Sequence, residues 1–370
     1  MQSKWQQPKA EVNAEETSQK PVAHRITAAG ITQAHVPVHN ARKRGRILSG
    51  LGWILLAVTI LICLAVVFQV DRLPQLSLFS YIPLYPFILL PITGAVLVRP
   101  RRLGIPSAAI LVFSLLYFDG FGIALGRAFV TKGKDNSIRI ISYNIEDWHG
   151  PNKQGFYDLI NNKKPDLLAL QEVWGPGDLQ DHRWDPIRTF AWGKTDGRHV
   201  GLSSEFTPLL YEKLDEYGNA VFVDYHGKRF WIASVQFPRG IDSARSMQFL
   251  PTKTRLEQGR YARFLARWLD DKEDVLVVGD FNSVAHSWFI RSLHLRNCWR
   301  TTGLGIGGTY KVDLPVARID HALVKGRILP VYGETLYIPG FSNHRGILLD
   351  FNIDEIPSYS SNDNRIKDKS

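Results

Sequence analysis

From Leu48 to about Val70 the chain runs almost without charge. About 20 consecutive apolar residues are enough to cross a bilayer as a helix, so this stretch constrains the fold before anything else does. Arg42, Lys43, Arg44 and Arg46 stand directly before it. Asp71-Arg72-Leu73-Pro74 make a short turn, and a second apolar segment follows from Leu76 to Val98, kinked by Pro83, Pro86 and Pro91 and closed by Arg99, Arg101 and Arg102. A third, Ile105 to about Leu125, is weaker because it contains Asp119 and glycine. Asp119 has no partner charge in the other segments and reads as a residue near the membrane surface. A cleaved signal peptide does not fit, since the polar tail and the apolar run are both too long and more apolar segments follow. The two basic clusters belong on the cytoplasmic side. Three crossings then put everything after residue 127 outside the cytoplasm; two crossings would leave it inside.

The net charge of +10 suggests nucleic acid at first sight, but it is unevenly placed. Residues 1–130 carry 13 Lys and Arg against 5 Asp and Glu, whereas residues 131–370 carry 32 against 30. The surplus therefore follows membrane topology, and the C-terminal part lacks a bulk basic field. Cys63 and Cys298 are the only cysteines, and Cys63 lies in the first apolar run, so neither a disulfide framework nor a cysteine-based zinc site can be built. Residues 1–40 are polar and without periodicity, which predicts a disordered tail. Ser, Asn, Asp and Lys dominate from Pro357 on and predict a frayed end. A folded domain is left over residues 131–356, with an apolar content and tryptophan count that support a real core.

Within that domain short apolar runs alternate with turns. Strands are expected at 138–143, 167–171, 209–214, 220–225, 228–236, 275–278, 319–324 and 346–351, and helices at 154–162, 255–269 and 287–294. In the second helix Tyr261, Leu265 and Trp268 share one face. Many strands with interspersed helices indicate an α/β or α+β domain with more than one sheet. Several strands end in polar residues that a core would not select. Asn144 and Glu146 follow Ile140-Ile141-Ser142-Tyr143, and Glu172 ends Leu168-Ala169-Leu170-Gln171. Gly279-Asp280-Phe281-Asn282 ends Val275-Leu276-Val277-Val278, with Gly279 allowing a tight turn and Asp280 and Asn282 leaving an extended segment on the same side. Asp320 opens Ile319-Asp320-His321-Ala322, and Ser342-Asn343-His344 precedes the last strand. Each cluster alone is an ordinary cap or turn, but five of one chemical character call for another explanation. A carboxylate beside an amide suits a hard cation and a phosphate.

Taken together and in order, Ser-Tyr-Asn-Ile, Leu-Gln-Glu-Val, Gly-Asp-Phe-Asn, Arg-Ile-Asp-His and Ser-Asn-His resemble the endonuclease/exonuclease/phosphatase superfamily from about Ile138 to Phe351. The N-terminal apolar region is similar to that of a membrane-anchored bacterial branch. The resemblance implies a four-layer α/β sandwich of two packed β-sheets flanked by helices, and a phosphoesterase site where strand ends converge. It implies Mg²⁺, or Mn²⁺, on Glu172 with Asn144 and Glu146 nearby. Asp280 would orient the attacking water and Asn282 would hold phosphate or water. His344 paired with Asp320 would meet the phosphate. The substrate would be a phosphodiester, in nucleic acid or a phospholipid head group, and the bilayer the chain's other partner. Two positions depart from the family pattern: Asn343 stands where Asp is usual, and Gln236 where His or Tyr is frequent; both are expected to face substrate. Ser204 likewise stands where Arg is frequent. These losses of charge keep open a catalytically attenuated or silent anion-binding module. Arg239, Arg245 and Lys253 could meet a substrate or line a solvated loop, and Trp148, Trp174, Trp184 and Trp192 could line a pocket or cover the core.

Overall fold

The computed structural model describes residues 38–117, 123–126, 137–146, 149–173, 187–191, 197–239, 241–242, 248–249 and 253–354. The tails expected to be disordered fall outside these almost entirely, as do Asp119, the four loop tryptophans and Arg245.

Helix α1 (Val38–Val67) contains the one helix among the described residues that is long and apolar enough to cross a membrane, Lys43–Val67. The expected second span is not one helix. Residues 70–72, 74–80 and 85–88 form 3-10 turns, and α2 (Leu89–Leu97) is the only α-helical part. Proline supplies no N–H and clashes with the preceding turn, so Pro83 and Pro86 stay outside the helix while Pro91 fits its first turn. The third segment forms α3 (Arg101–Tyr117), starting four residues before the expected Ile105 and accommodating Pro106. A methyl group on Gly52 would lie 2.8 Å from the Gly94 carbonyl oxygen and the Val98 nitrogen. Backbone contact of this kind is how small residues pack apolar helices.

The rest of the chain runs β1 (Ile138–Asn144), α4 (Lys153–Lys163), β2 (Leu167–Gln171), β3 (Ile187–Ala191), β4 (Arg198–Ser203), β5 (Phe206–Lys213), β6 (Gly218–Tyr225), β7 (Lys228–Gln236), β8 (Ile241–Asp242), β9 (Gln248–Phe249), α5 (Lys253–Asp270), β10 (Val275–Asp280), α6 (Trp288–Arg291), β11 (Arg296–Asn297), α7 (Cys298–Thr302), β12 (Asp320–Lys325), β13 (Ile328–Leu336) and β14 (Gly346–Ile353). One six-stranded sheet has the order β13-β14-β1-β2-β4-β3, and the other β11-β12-β10-β7-β6-β5. The pairs β1–β2 and β7–β10 are parallel. β13 was not expected from the sequence, because Pro330, Gly333 and Glu334 interrupt its apolar pattern. It lies at a sheet edge, and its register against β14 shifts beside Pro330, which is where a strand tolerates proline.

The side-chain period of two decides the layers. Ile138, Ile140, Leu167, Ala169, Val200 and Leu202 of one sheet pack between the sheets with Phe230, Ile232, Leu276, Val278 and Val324 of the other. The alternate residues Ile141, Tyr143, Leu168 and Leu170 face outward under Phe156, Tyr157 and Ile160 of α4. Trp231, Ala233, Val275 and Val277 face outward under Tyr261, Ala262 and Leu265 of α5, with Trp268 packed at its margin. Helix, sheet, sheet and helix make the four-layer sandwich.

Candidate active site

The same parity builds the site. Continuing the inward-facing series of β1 beyond Ile140 leads to Ser142 and Asn144; of β2, to Gln171; of β7, to Ser234 and Gln236; of β10, to Asp280; of β12, back to Asp320. Register completes the convergence, since Asn144 lies opposite Gln171, and Asp280 lies between Gln236 and Asp320. The apolar core therefore ends on one side in a buried polar layer. Asn144, Gln171, Asp280 and Asp320 are all nearly inaccessible, and buried groups of this kind persist where they are hydrogen-bonded.

The Asn144 amide is the centre of the layer. Its Nδ2 donates to Glu172 Oε1 at 3.0 Å and to Asp280 Oδ2 at 3.1 Å, while its Oδ1 accepts from the Glu146 backbone N–H at 3.1 Å. Gln171 supports it from below, donating to the Ser142 and Ser234 hydroxyls. Glu146, Glu172 and Asn282 have φ of 49°, 57° and 48°. Non-glycine residues rarely adopt this left-handed region, and such strain collects at functional sites. Gly279 has φ 140°, and a Cβ there would fall 1.9 Å from the Val235 carbonyl oxygen. No other residue fits where β10 approaches β7. The turn expected at Gly279 is thus a close strand contact, and the reversal comes at Asn282.

Asp280 and Asn282 do not leave one face of an extended strand. The chain folds back after Phe281, so that Asn282 N–H donates to Asp280 Oδ1 at 2.8 Å. Asn282 Nδ2 donates to Asp280 Oδ2 at 3.1 Å and to the Phe237 carbonyl at 2.8 Å. Beside them His344 Nδ1 meets Asp320 Oδ2 at 3.0 Å, and its Nε2 stands 3.9 Å from Asp280 Oδ2. Ser342 fixes the histidine loop by donating to the Asn144 carbonyl at 2.7 Å and accepting the His344 N–H at 3.1 Å.

Burial disfavours a charged imidazole at His344, but the Asp320 and Asp280 carboxylates outweigh it and raise the pKa to about 9. Burial, with Asp320 nearby, pushes the Asp280 carboxyl well above the usual range, against the opposing pull of His344. Glu172 goes the other way. Burial would raise it, yet Arg239, the Asn144 amide and His344 together hold it below the ordinary value.

Gln236 and Asn343 are committed to protein partners. Gln236 accepts from Arg198 at 2.9 Å and donates to Glu172 Oε1 at 2.5 Å, linking a buried guanidinium to the carboxylate. Asn343 clasps Glu146 twice, from its backbone N–H at 2.9 Å and its side-chain amide at 2.8 Å. Both Glu146 oxygens are thus turned toward the histidine loop. Arg239 donates to Glu172 Oε1 at 2.5 Å, and with Arg198, Tyr217 and Phe237 it lines a cleft of about 280 Å³ opening beside that carboxylate. Sequence reasoning missed Arg198, although its parity with Val200 and Leu202 points it into the seam.

The donors suit a divalent metal. Glu172 and Asp280 offer carboxylate oxygens drawn together by the Asn144 Nδ2, and the Asn144 Oδ1 lies toward Glu146; carboxylate and amide oxygens are what a hard cation prefers. Asn343 Oδ1 is a buried acceptor without a hydrogen-bond partner beside Glu146, which a cation or its water would satisfy. Asp280, Asp320 and His344 also bring ligand atoms within 4.8 Å of one another.

No curated protein matches this sequence. Among solved structures the chain is similar to an endonuclease/exonuclease/phosphatase from Bacteroides vulgatus, with 16% identity and TM-score 0.49 over 60% of this chain and 100% of that one. It is similar to a mannosyl-6-phosphatase of Bacteroides thetaiotaomicron, with 14% identity and TM-score 0.47 over 59% and 100%. It is also similar to the human nocturnin catalytic domain, with 16% identity and TM-score 0.44 over 62% and 99%. These likenesses bear on neither the substrate nor the mechanism of this chain. A family model described as the endonuclease/exonuclease/phosphatase family matches residues 142–344, more than half of the 370 and all five strand-end clusters. The chain belongs to that family.

Proposed function

We propose that this chain is a membrane-anchored, divalent-metal-dependent phosphoesterase that hydrolyses phosphodiester bonds, in nucleic acid or a phospholipid head group, by in-line attack of an activated water. The observation that carries the reading is the Asn144 amide spanning Glu172 and Asp280, with the Asp320–His344 pair beside them. In this reading Glu172 and Asn144, with Glu146 adjoining, hold Mg²⁺ or Mn²⁺, which when bound supplies charge stabilisation at the phosphate oxygens. Asp280, poised by burial and oriented by Asn282, accepts a proton from the attacking water. His344, kept protonated by Asp320, donates from Nε2 to a phosphate oxygen. Gln236 acts on substrate through Glu172, and Asn343 through Glu146, because their amides are already bonded there. Helix α1 anchors the domain, and its flanking arginines and lysine favour a cytoplasmic N-terminus with the site outside.

A second reading, a silent anion-binding module, is favoured by one feature: Arg239 and Gln236 both occupy the oxygen of Glu172 that Asn144 shares. The test uses the full chain in detergent, because residues 71, 79 and 80 bond the segment following Asn282. Turnover of bis-p-nitrophenyl phosphate that needs Mg²⁺ or Mn²⁺ and is lost in Glu172→Ala and His344→Ala is expected. Absence of metal-dependent turnover, with both variants behaving like the parent, refutes the enzyme. A reporter fused after Arg127 and active only outside the cytoplasm is the expected topology; a cytoplasmic signal overturns it.

A further inference from the structure

The segment between α1 and α2 is bound to the domain by buried polar groups. At the end of α1 the Val66 carbonyl accepts from the Arg291 guanidinium. Asp71, 3% exposed, accepts from Ser80 Oγ at 2.6 Å and from the Trp288 N–H at 2.8 Å. The Phe79 carbonyl meets His286 Nε2 at 3.0 Å, and the Ser80 carbonyl accepts from the Val284 N–H at 3.1 Å. Tyr81 donates to Gln258, which donates in turn to the carbonyl of Pro238, next to Arg239. Val284 is two residues from Asn282, at most about 7 Å of chain. A second tie lies beyond α3, where Ala124 and Gly305 exchange backbone bonds of 2.9 and 2.8 Å. Gly305 leads to Thr309, whose hydroxyl accepts the Asp320 N–H. The strap after α1 and the segment after α3 therefore both bond loops that adjoin site residues, Asn282 in one case and Asp320 in the other.

The other side of this strap is apolar and open. Phe68, Leu73, Leu76 and Leu78 are 71%, 53%, 45% and 47% exposed, and they continue directly from the exposed apolar surface of α1. A bilayer is the partner that continuity selects, since in the membrane-anchored reading above α1 is already in it when these residues are reached. The head-group layer is only about 5–8 Å thick, so a strap seated there on its leucines brings the Asn282 loop to head-group height. The near balance of charge over residues 131–370 offers nucleic acid no comparable attraction.

Resting on the phosphoesterase reading above, we propose that residues 68–81 form an interfacial strap holding the active site against the membrane, and that its substrate is the phosphate ester of an amphiphile in the same leaflet. The test reconstitutes the full chain in phosphatidylcholine–phosphatidylglycerol vesicles with Mn²⁺. Three substrates are compared: bis-p-nitrophenyl phosphate, a head-group-labelled phosphatidylglycerol in the vesicle, and a single-stranded oligonucleotide. The lipid should be hydrolysed with kcat/KM at least tenfold above the oligonucleotide. Leu76→Glu with Leu78→Glu should lower lipid hydrolysis at least tenfold and leave the soluble diester within twofold. Should that pair lose both activities, Leu73→Lys replaces it and the ratio of lipid to soluble turnover is read instead. Equal or better cleavage of the oligonucleotide, or an unchanged ratio in the strap variants, overturns the proposal while leaving the phosphoesterase intact. No turnover of any substrate overturns both.

Discussion

Replacing Asp320 with asparagine removes the nearer of two carboxylates that face His344. Asp320 Oδ2 is 3.0 Å from Nδ1, and Asp280 Oδ2 is 3.9 Å from Nε2. Coulomb energy falls as 1/r, so Asp320 supplies roughly 55–60% of the attraction from this pair, before its hydrogen bond is counted and with Glu172 adding a smaller share. An opposite charge this close moves a pKa by about 1–3 units, or about 1.4–4 kcal/mol. The imidazole, raised to about 9 in the parent, should therefore fall by about 1–3 units in Asp320→Asn. Where His344 must be protonated, the basic limb of kcat/KM against pH for bis-p-nitrophenyl phosphate moves to lower pH by the same amount. The stability consequence has a definite sign. A pKa raised on folding contributes stability that is full below the unfolded value of about 6.5 and is lost as pH rises through about 9. The parent should lose thermal stability across that window, and the variant should lose less of it. NMR titration of the His344 ring reads the same pKa without turnover. A shift under about 0.3 unit by both methods would refute the electrostatic argument.

Gly279→Ala places a Cβ 1.9 Å from the Val235 carbonyl at φ 140°, and should cost at least about 4 kcal/mol or prevent folding; a denaturation midpoint near the parent's would show that β10 can move away from β7. Arg239→Ala frees Glu172 from a half-exposed guanidinium, and exposed ion pairs are worth about 0.2–1 kcal/mol. Calorimetric Mn²⁺ affinity should rise by up to about fivefold, while an unchanged or weaker affinity contradicts competition between Arg239 and the metal. Asn343→Asp sets a carboxylate beside Glu146 where an amide now donates at 2.8 Å. In chelator its melting temperature should fall below the parent's, and Mn²⁺ should raise it by more than it raises the parent's; equal responses would place the metal away from this pair.

The legible part of the site was the part written in strand ends. Asn144, Glu172, Asp280 and Asp320 interrupt apolar runs, and a period of two tells which face each must take. Helix α5 was equally plain, because Tyr261 and Leu265 recur at helical spacing and a helix needs only its neighbours to show its face. β13 was hidden because an edge strand pairs on one side and tolerates proline, so its sequence need not look like a strand. The second apolar segment misled for the converse reason: hydropathy measures composition, and only the prolines say that no single helix forms there.

Sequence by itself determined the apolar helix that α1 contains, the alternating strands and the five polar clusters, since each follows from patterns within a few residues. Only the tertiary structure decided which groups touch. The clasp of Asn343 on Glu146, the Arg198–Gln236–Glu172 chain and the docking of Asp71 on Trp288 join residues 197, 38, 64 and 217 positions apart. Local preference carries no information across such separations. Register between strands and the meeting of two sheets supply it, and that is why the fate of Gln236 and Asn343 could be read only after the chain was folded.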